Sequence, residues 1–198
     1  MGTPEGLMKR ELQILFRALC DGLRQEVRQR SLAHLVTGQD FSLTKEREVG
    51  IASSLALHLR SVGFAVQLDA YFPSGSPRRR PDFGIWLPAS KKYIYLELKT
   101  VAWGSDYQYY YAAAISDIKK LNNDTEPENQ QNGLIALGSS KPEEQQDQLW
   151  EGFKKRLSQR ITNDYPSYEE IGLERVDLQE MDELTSYAVI GLWFHKFS

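Results

Sequence analysis

The chain has 198 residues, of which 41% are hydrophobic, 11% aromatic and 26% charged, with a formal net charge of −3. That length fits one domain with a sizeable core, and that composition excludes long-range disorder. A single cysteine excludes an internal disulfide and a Cys-rich zinc site, three scattered histidines lack ligand spacing, and no apolar run approaches a membrane span.

The charge is uneven: residues 1–100 hold 15 basic and 10 acidic side chains, and residues 101–198 hold 9 and 17. A basic first half can meet a polyanion although the whole chain is mildly acidic. The first residues lack a basic region followed by an apolar core, so no secretory signal is expected, and Gly6 stands where a myristoylation motif needs Ser or Thr. The expectation is an intracellular protein without a membrane partner.

Residues 5–35 read as helix, because Met8, Leu12, Leu15, Phe16, Leu19, Leu23 and Val27 form one apolar stripe. Cys20 falls in that pattern as a buried, inert thiol. At this length the segment is either two helices or one that packs on another subunit, so it serves a homodimer or covers the core. A second helix is predicted from about Leu43 to Val62, with Ile51, Ala52, Leu55 and Leu59 on its buried side and Gly63 as its stop. Residues 64–72 alternate as a strand, and 73–77 are a Pro/Ser/Gly loop. Two strands, Asp82 to Leu87 and Lys92 to Thr100, flank Pro88–Lys91. A helix follows over Gln108 to Leu121, then a buried strand over 133–138, a helix over 143–162 and a strand from Tyr187 to Phe197. The stretch 164–183, with eight acidic residues and one basic, reads as exposed and partly irregular.

The central hairpin carries the chemistry. If Leu87 opposes Lys92, then Asp82 faces Glu97. This parity places Phe83, Ile85, Leu87, Ile94, Leu96 and Leu98 on one apolar face that must pack on helices. Asp82, Gly84, Trp86, Tyr93, Tyr95, Glu97 and Lys99 share the other face. Opposed carboxylates repel at this range. A divalent cation offsets that repulsion, since Mg²⁺ takes one or two carboxylates plus waters and phosphate oxygens. Lys99 lies one strand step from Glu97, where it can hold or deprotonate a water or stabilise charge on a phosphate. The competing reading is a strand-start Asp82 and a solvated face.

Pro81-Asp82, fourteen intervening residues, and Glu97-Leu98-Lys99 on an apolar strand resemble the PD-(D/E)XK nuclease superfamily, the restriction-endonuclease-like fold. The resemblance spans roughly residues 42–138 and includes the order of elements. It implies an α/β fold: a restriction-endonuclease-like core, with a mixed central sheet containing an antiparallel hairpin and flanked by helices, plus an N-terminal helical extension. The chain then divides as one domain into an extension (1–40), the core (42–138) and a C-terminal helix and strand (139–198). The resemblance implies a metal-dependent nuclease, with DNA as the first substrate and Mg²⁺ or Mn²⁺ as cofactor. Asp82 and Glu97 would bind the metal with the Leu98 carbonyl, and Lys99 would position or activate the attacking water. Many members add a glutamate on the preceding helix. Glu48 shares a face with Ala52, Leu55 and Leu59 and is preferred to Glu46, although a carboxylate in a helix's first turn is favourable in itself.

Arg78, Arg79 and Arg80 directly precede Pro81; they contact backbone phosphates in the nuclease reading and otherwise belong to a soluble loop. Lys119 and Lys120 line the same groove, whereas Asp117 beside them has no assigned role. Tyr107, Tyr109, Tyr110, Tyr111 and Trp103 either pack or stack on bases, packing being preferred. Lys154, Lys155, Arg156 and Arg160 read as an ordinary exposed helix face, and Trp193 and Phe194 as packing. Two rivals stand beside the nuclease: a catalytically inactive nuclease-fold protein that binds nucleic acid or a protein partner, and an interaction protein using the N-terminal helix or the acidic stretch.

Overall fold

The computed structural model describes residues 3–37, 48–70, 81–101, 107–122, 131–139, 146–177 and 187–196. The N-terminal apolar stripe forms one uninterrupted helix, α1 (Pro4–Thr37). Met8, Leu12, Leu15, Phe16, Leu19, Cys20 and Leu23 are buried in a cluster shared with Ile51, Leu55 and Leu59 of α2 (Glu48–Ser61). The segment is thus one helix, and it covers the core of its own chain.

Helix α2 stops where Gly63 predicts. Gly63 takes a φ of 101° while its N–H donates to the Arg60 carbonyl (3.1 Å) and the Phe64 N–H donates to that of Leu59 (2.9 Å). These two bonds satisfy the helix's last carbonyls, and glycine enters the left-handed region without a Cβ clash. The chain then forms β1 (Ala65–Leu68), β2 (Phe83–Leu87) and β3 (Lys92–Val101). Helix α3 (Tyr107–Asn122) crosses to β4 (Asn132–Ser139), which runs parallel to β3. Residues 43–47, 71–80 and 143–145 of the expected elements lie outside the described residues.

The helix predicted over 143–162 is a run of α4 (Gln146–Gly152), a six-residue π-helical turn (Phe153–Ser158) and α5 (Gln159–Asp164). Its exposed cations answer to local partners: Lys155 pairs with Glu151 (2.9 Å), Arg160 with Asp164 (3.2 Å), and Lys154 sits over the Trp150 ring (4.6 Å). The run leads into β5 (Tyr168–Asp177), which pairs antiparallel with β6 (Tyr187–His195). Of the stretch 164–183, expected to be exposed and partly irregular, residues 168–177 form strand β5, and 178–183 lie outside the described residues. The acidic residues of β5 are held from outside the segment: Lys9 pairs with Glu169 (2.9 Å), Arg24 with Glu174, and the Ser158 hydroxyl donates to Glu170. Tyr168 and Val176 are buried.

The result is a mixed α/β architecture: a six-stranded sheet of order β1-β2-β3-β4-β6-β5, flanked by helices on both faces. Helices α1 and α2 cover one face, burying Phe83, Ile85, Leu87, Ile94, Leu96 and Leu98. Helix α3 and the α4–α5 run cover the other, over Tyr95, Leu134, Ala136, Val189 and Trp193. The Arg60 guanidinium donates twice to the Val66 carbonyl (3.1 and 2.9 Å), occupying an acceptor of edge strand β1. Glu11 of α1 is 8% exposed and accepts the Ala89 and Ser90 N–H groups (2.7 and 2.8 Å), tying α1 to the β2–β3 turn. No helix among the described residues is long and apolar enough to cross a membrane.

Candidate functional site

The β2–β3 register follows the predicted parity, with Leu87 opposite Lys92 and Phe83 opposite Leu96. One step further along the same register, Asp82 meets Glu97. The residue before Asp82 explains why the ladder ends there. Leu98 is next in line to pair with Pro81, but Pro81 has no N–H to offer the Leu98 carbonyl. The Pro81 carbonyl instead accepts from Ala70 N–H (3.0 Å), and the Asp82 carbonyl accepts from Asp69 N–H (3.2 Å). The Leu98 N–H is left to donate to Asp82 Oδ2 (2.7 Å). A side chain thus replaces the missing ladder partner, which fixes the Asp82 carboxylate beside β3. In an extended strand the N–H and C=O of one residue point to the same side, so the Leu98 carbonyl is directed toward Asp82 as well.

Glu97 and Lys99 are half-buried on the face toward α3, opposite Leu134 and Ala136 of β4. Burial, then the charge of Asp82, push the Glu97 carboxyl up to about 8. A hydrogen bond shared with Asp82 and the charge of Asp117 act in the same direction, and Lys120 opposes them. Close approach to Asp82 in a half-buried site thus favours the protonated form of Glu97.

Helix α3 completes one wall. Ala114, Ile118 and Leu121 are buried against the sheet. The next positions around the helix bring Asp117 and Lys120 close enough to act on Glu97. Lys120 Nζ pairs with Asp117 Oδ1 at 2.6 Å. Asp117 is the residue that sequence reading left without a role. The available signal was its place one residue before a buried isoleucine, on a helix that folds straight back over the Glu97 strand. Lys119 is exposed beside it.

Glu48 is the first residue of α2, on the sheet face opposite Glu97. The turn at 62–64 reverses the chain, so the start of α2 lies toward the end of the sheet where β2 begins. Arg78, Arg79, Arg80 and Trp103 lie outside the described residues. Tyr111 is a packing residue, edge-on to Phe153 at 5.8 Å with its hydroxyl on the Leu149 carbonyl (3.4 Å), and Trp193 and Phe194 are fully buried.

Among the described residues no three His, Cys, Asp or Glu side chains converge to cage a metal ion. The donor set is instead two carboxylates in contact and a carbonyl directed at them, all hard oxygens. Two adjacent carboxylates, one of which is held protonated against the other, are oxygen donors that fit a cation taking one or two carboxylates and completing its shell with water. No family model, curated protein or solved structure matches the chain.

Proposed function

We propose that this chain is a metal-dependent nuclease with a restriction-endonuclease-like core, hydrolysing phosphodiester bonds in nucleic acid, DNA first. The observation that carries the proposal is the contact of Asp82 with Glu97 at the broken end of the β2–β3 ladder, with Lys99 one strand step beyond. The Pro-Asp and Glu-Leu-Lys sequences at these positions resemble the PD-(D/E)XK pattern.

In this reading Asp82, Glu97 and the Leu98 carbonyl hold Mg²⁺ or Mn²⁺. When bound, the cation supplies positive charge against the phosphate oxygens. Asp82 is kept in place by the Leu98 N–H, so binding need only displace the proton it shares with Glu97. Lys99 donates a hydrogen bond that orients the attacking water, and its charge favours the oxygen that loses the proton. The water oxygen bonds to phosphorus and loses its proton to solvent, the P–O bond to the leaving sugar breaks, and the sugar oxygen takes a proton from solvent; the resemblance implies a 5′-phosphate product. Lys119 and Lys120, with Arg78, Arg79 and Arg80, contact flanking phosphates. Glu48 assists as a further acidic group.

The test is cleavage of single- and double-stranded DNA and of RNA by the full chain, in Mg²⁺, Mn²⁺ or EDTA. Metal-dependent cleavage of any of them supports the nuclease. Salt-sensitive binding without cleavage would assign a catalytically inactive nuclease-fold protein.

A further inference from the structure

The hairpin face that carries Glu97 continues away from it as an aromatic surface. Trp86 lies directly across from Tyr93 in the β2–β3 register. The Tyr93 ring lies over Gly84, where any Cβ would fall inside the ring's van der Waals envelope. Glycine is needed there for the tyrosine to lie flat on the sheet. The Tyr93 hydroxyl donates to Gln67 Oε1 on β1 (3.2 Å), and the ring meets Tyr95 edge-on at 5.2 Å between centroids. Tyr93 is therefore held from three strands. Trp86 is 40% exposed, while its strand neighbours Ile85 and Leu87 are fully buried on the opposite face. Helix α3 packs on β3 and β4, one strand short of Trp86.

A lone exposed tryptophan is unremarkable. This one sits beside a pre-positioned tyrosine, in line with the carboxylates. Tyr93 and Glu97 lie four steps apart along β3, or roughly 13 Å. Exposed cations stand near both ends of the line: Lys91 in the hairpin turn, and on α3 Lys119 with Lys120, the latter paired with Asp117. Flat aromatic faces between cations match a polynucleotide strand, with bases on the rings and phosphates toward the lysines. Bases inside a duplex are stacked on their neighbours and present no free face, so the matching ligand is unpaired.

We infer that Trp86 and Tyr93 form a stacking platform for unpaired bases of the strand whose phosphate enters the Asp82–Glu97 site, which makes single-stranded nucleic acid the preferred substrate. The inference rests on the nuclease reading for the direction of the strand. The test is fluorescence anisotropy with labelled single-stranded DNA, single-stranded RNA and duplex DNA of one length, using the full chain with Ca²⁺ in place of Mg²⁺. Wild type should bind single strands more tightly than duplex. Trp86→Ala should weaken single-strand binding about 5- to 100-fold, leave duplex binding unchanged, and be largely rescued by Trp86→Phe. The DNA and RNA arms identify the sugar. Unaltered single-strand binding by Trp86→Ala would overturn the platform. If that substitution failed to fold, equal binding by Trp86→Phe and Trp86→Leu would do the same. Metal-dependent cleavage of duplex alone, insensitive to Trp86, would remove the platform and leave the nuclease standing. A wild type that binds no nucleic acid would remove both.

Discussion

Replacing Glu11 with alanine removes the acceptor for two backbone N–H groups at once. The Glu11 oxygens lie 2.7 Å from the Ala89 nitrogen and 2.8 Å from that of Ser90, and the residue is 8% exposed. Hydrogen bonds to a charged group are worth about 1.5–3 kcal/mol each. The hairpin turn is partly open, so water can replace some of that, which brings the expected loss for Glu11→Ala to about 2–3 kcal/mol. In a chain of this size that is a fall in Tm of about 5–10 °C. Glu11→Gln keeps one acceptor oxygen and loses the charge assistance, and should cost about half as much. Thermal and urea melts of the three proteins measure both steps. Losses below about 0.5 kcal/mol for both variants would refute the claim that α1 pins the hairpin through this carboxylate.

Three further outcomes follow from the structure. The folded protein favours protonated Glu97, so in EDTA its contribution to stability is fully present below about pH 4.5 and lost as pH rises through about 8. Glu97→Gln should therefore flatten the fall in unfolding free energy between pH 5 and 8.5, by an amount on the order of a few kcal/mol in urea melts, and equal slopes in both proteins would contradict the pairing with Asp82. Pro81→Ala supplies an N–H opposite the Leu98 carbonyl, so it should weaken Mn²⁺ binding by about tenfold in calorimetric titration; unchanged affinity would remove that carbonyl from the donor set. Gly172 lies at the β5 bulge beneath the Phe16 ring, where a Cβ would collide, so Gly172→Ala should cost about 1–3 kcal/mol in urea unfolding, and a neutral result would refute the close approach of α1 to β5.

What the sequence made legible were the features written in neighbouring residues. The two-residue alternation of Phe83–Leu87 against Ile94–Leu98 set the hairpin register, because a one-residue slip would turn the apolar face outward. Gly63 marked the end of α2, since its conformation excludes most other residues. The stripe from Met8 to Leu23 marked α1 but left open what it covers. Strand β5 was hidden because its acidic side chains resemble a solvated stretch. The cations that hold them, Lys9 and Arg24, lie 160 and 150 positions away in the chain. Asp117 escaped for a related reason: its closeness to Glu97 arises from the angle at which α3 crosses β3, which no local pattern encodes. The exposure of Trp86 likewise depends on α3 stopping one strand short of it.

In the proposed mechanism Asp82 and Glu97 hold a divalent cation, for which Lys99 supplies the chemistry rather than the binding. This division of roles is tested most directly by measuring cleavage and the metal-induced rise in Tm together, for wild type, Asp82→Ala and Lys99→Ala. Wild type should show both, Asp82→Ala should lose both, and Lys99→Ala should keep the rise in Tm while its cleavage falls at least about a hundredfold. Cleavage that survives in Lys99→Ala, or a metal response that survives in Asp82→Ala, would contradict it.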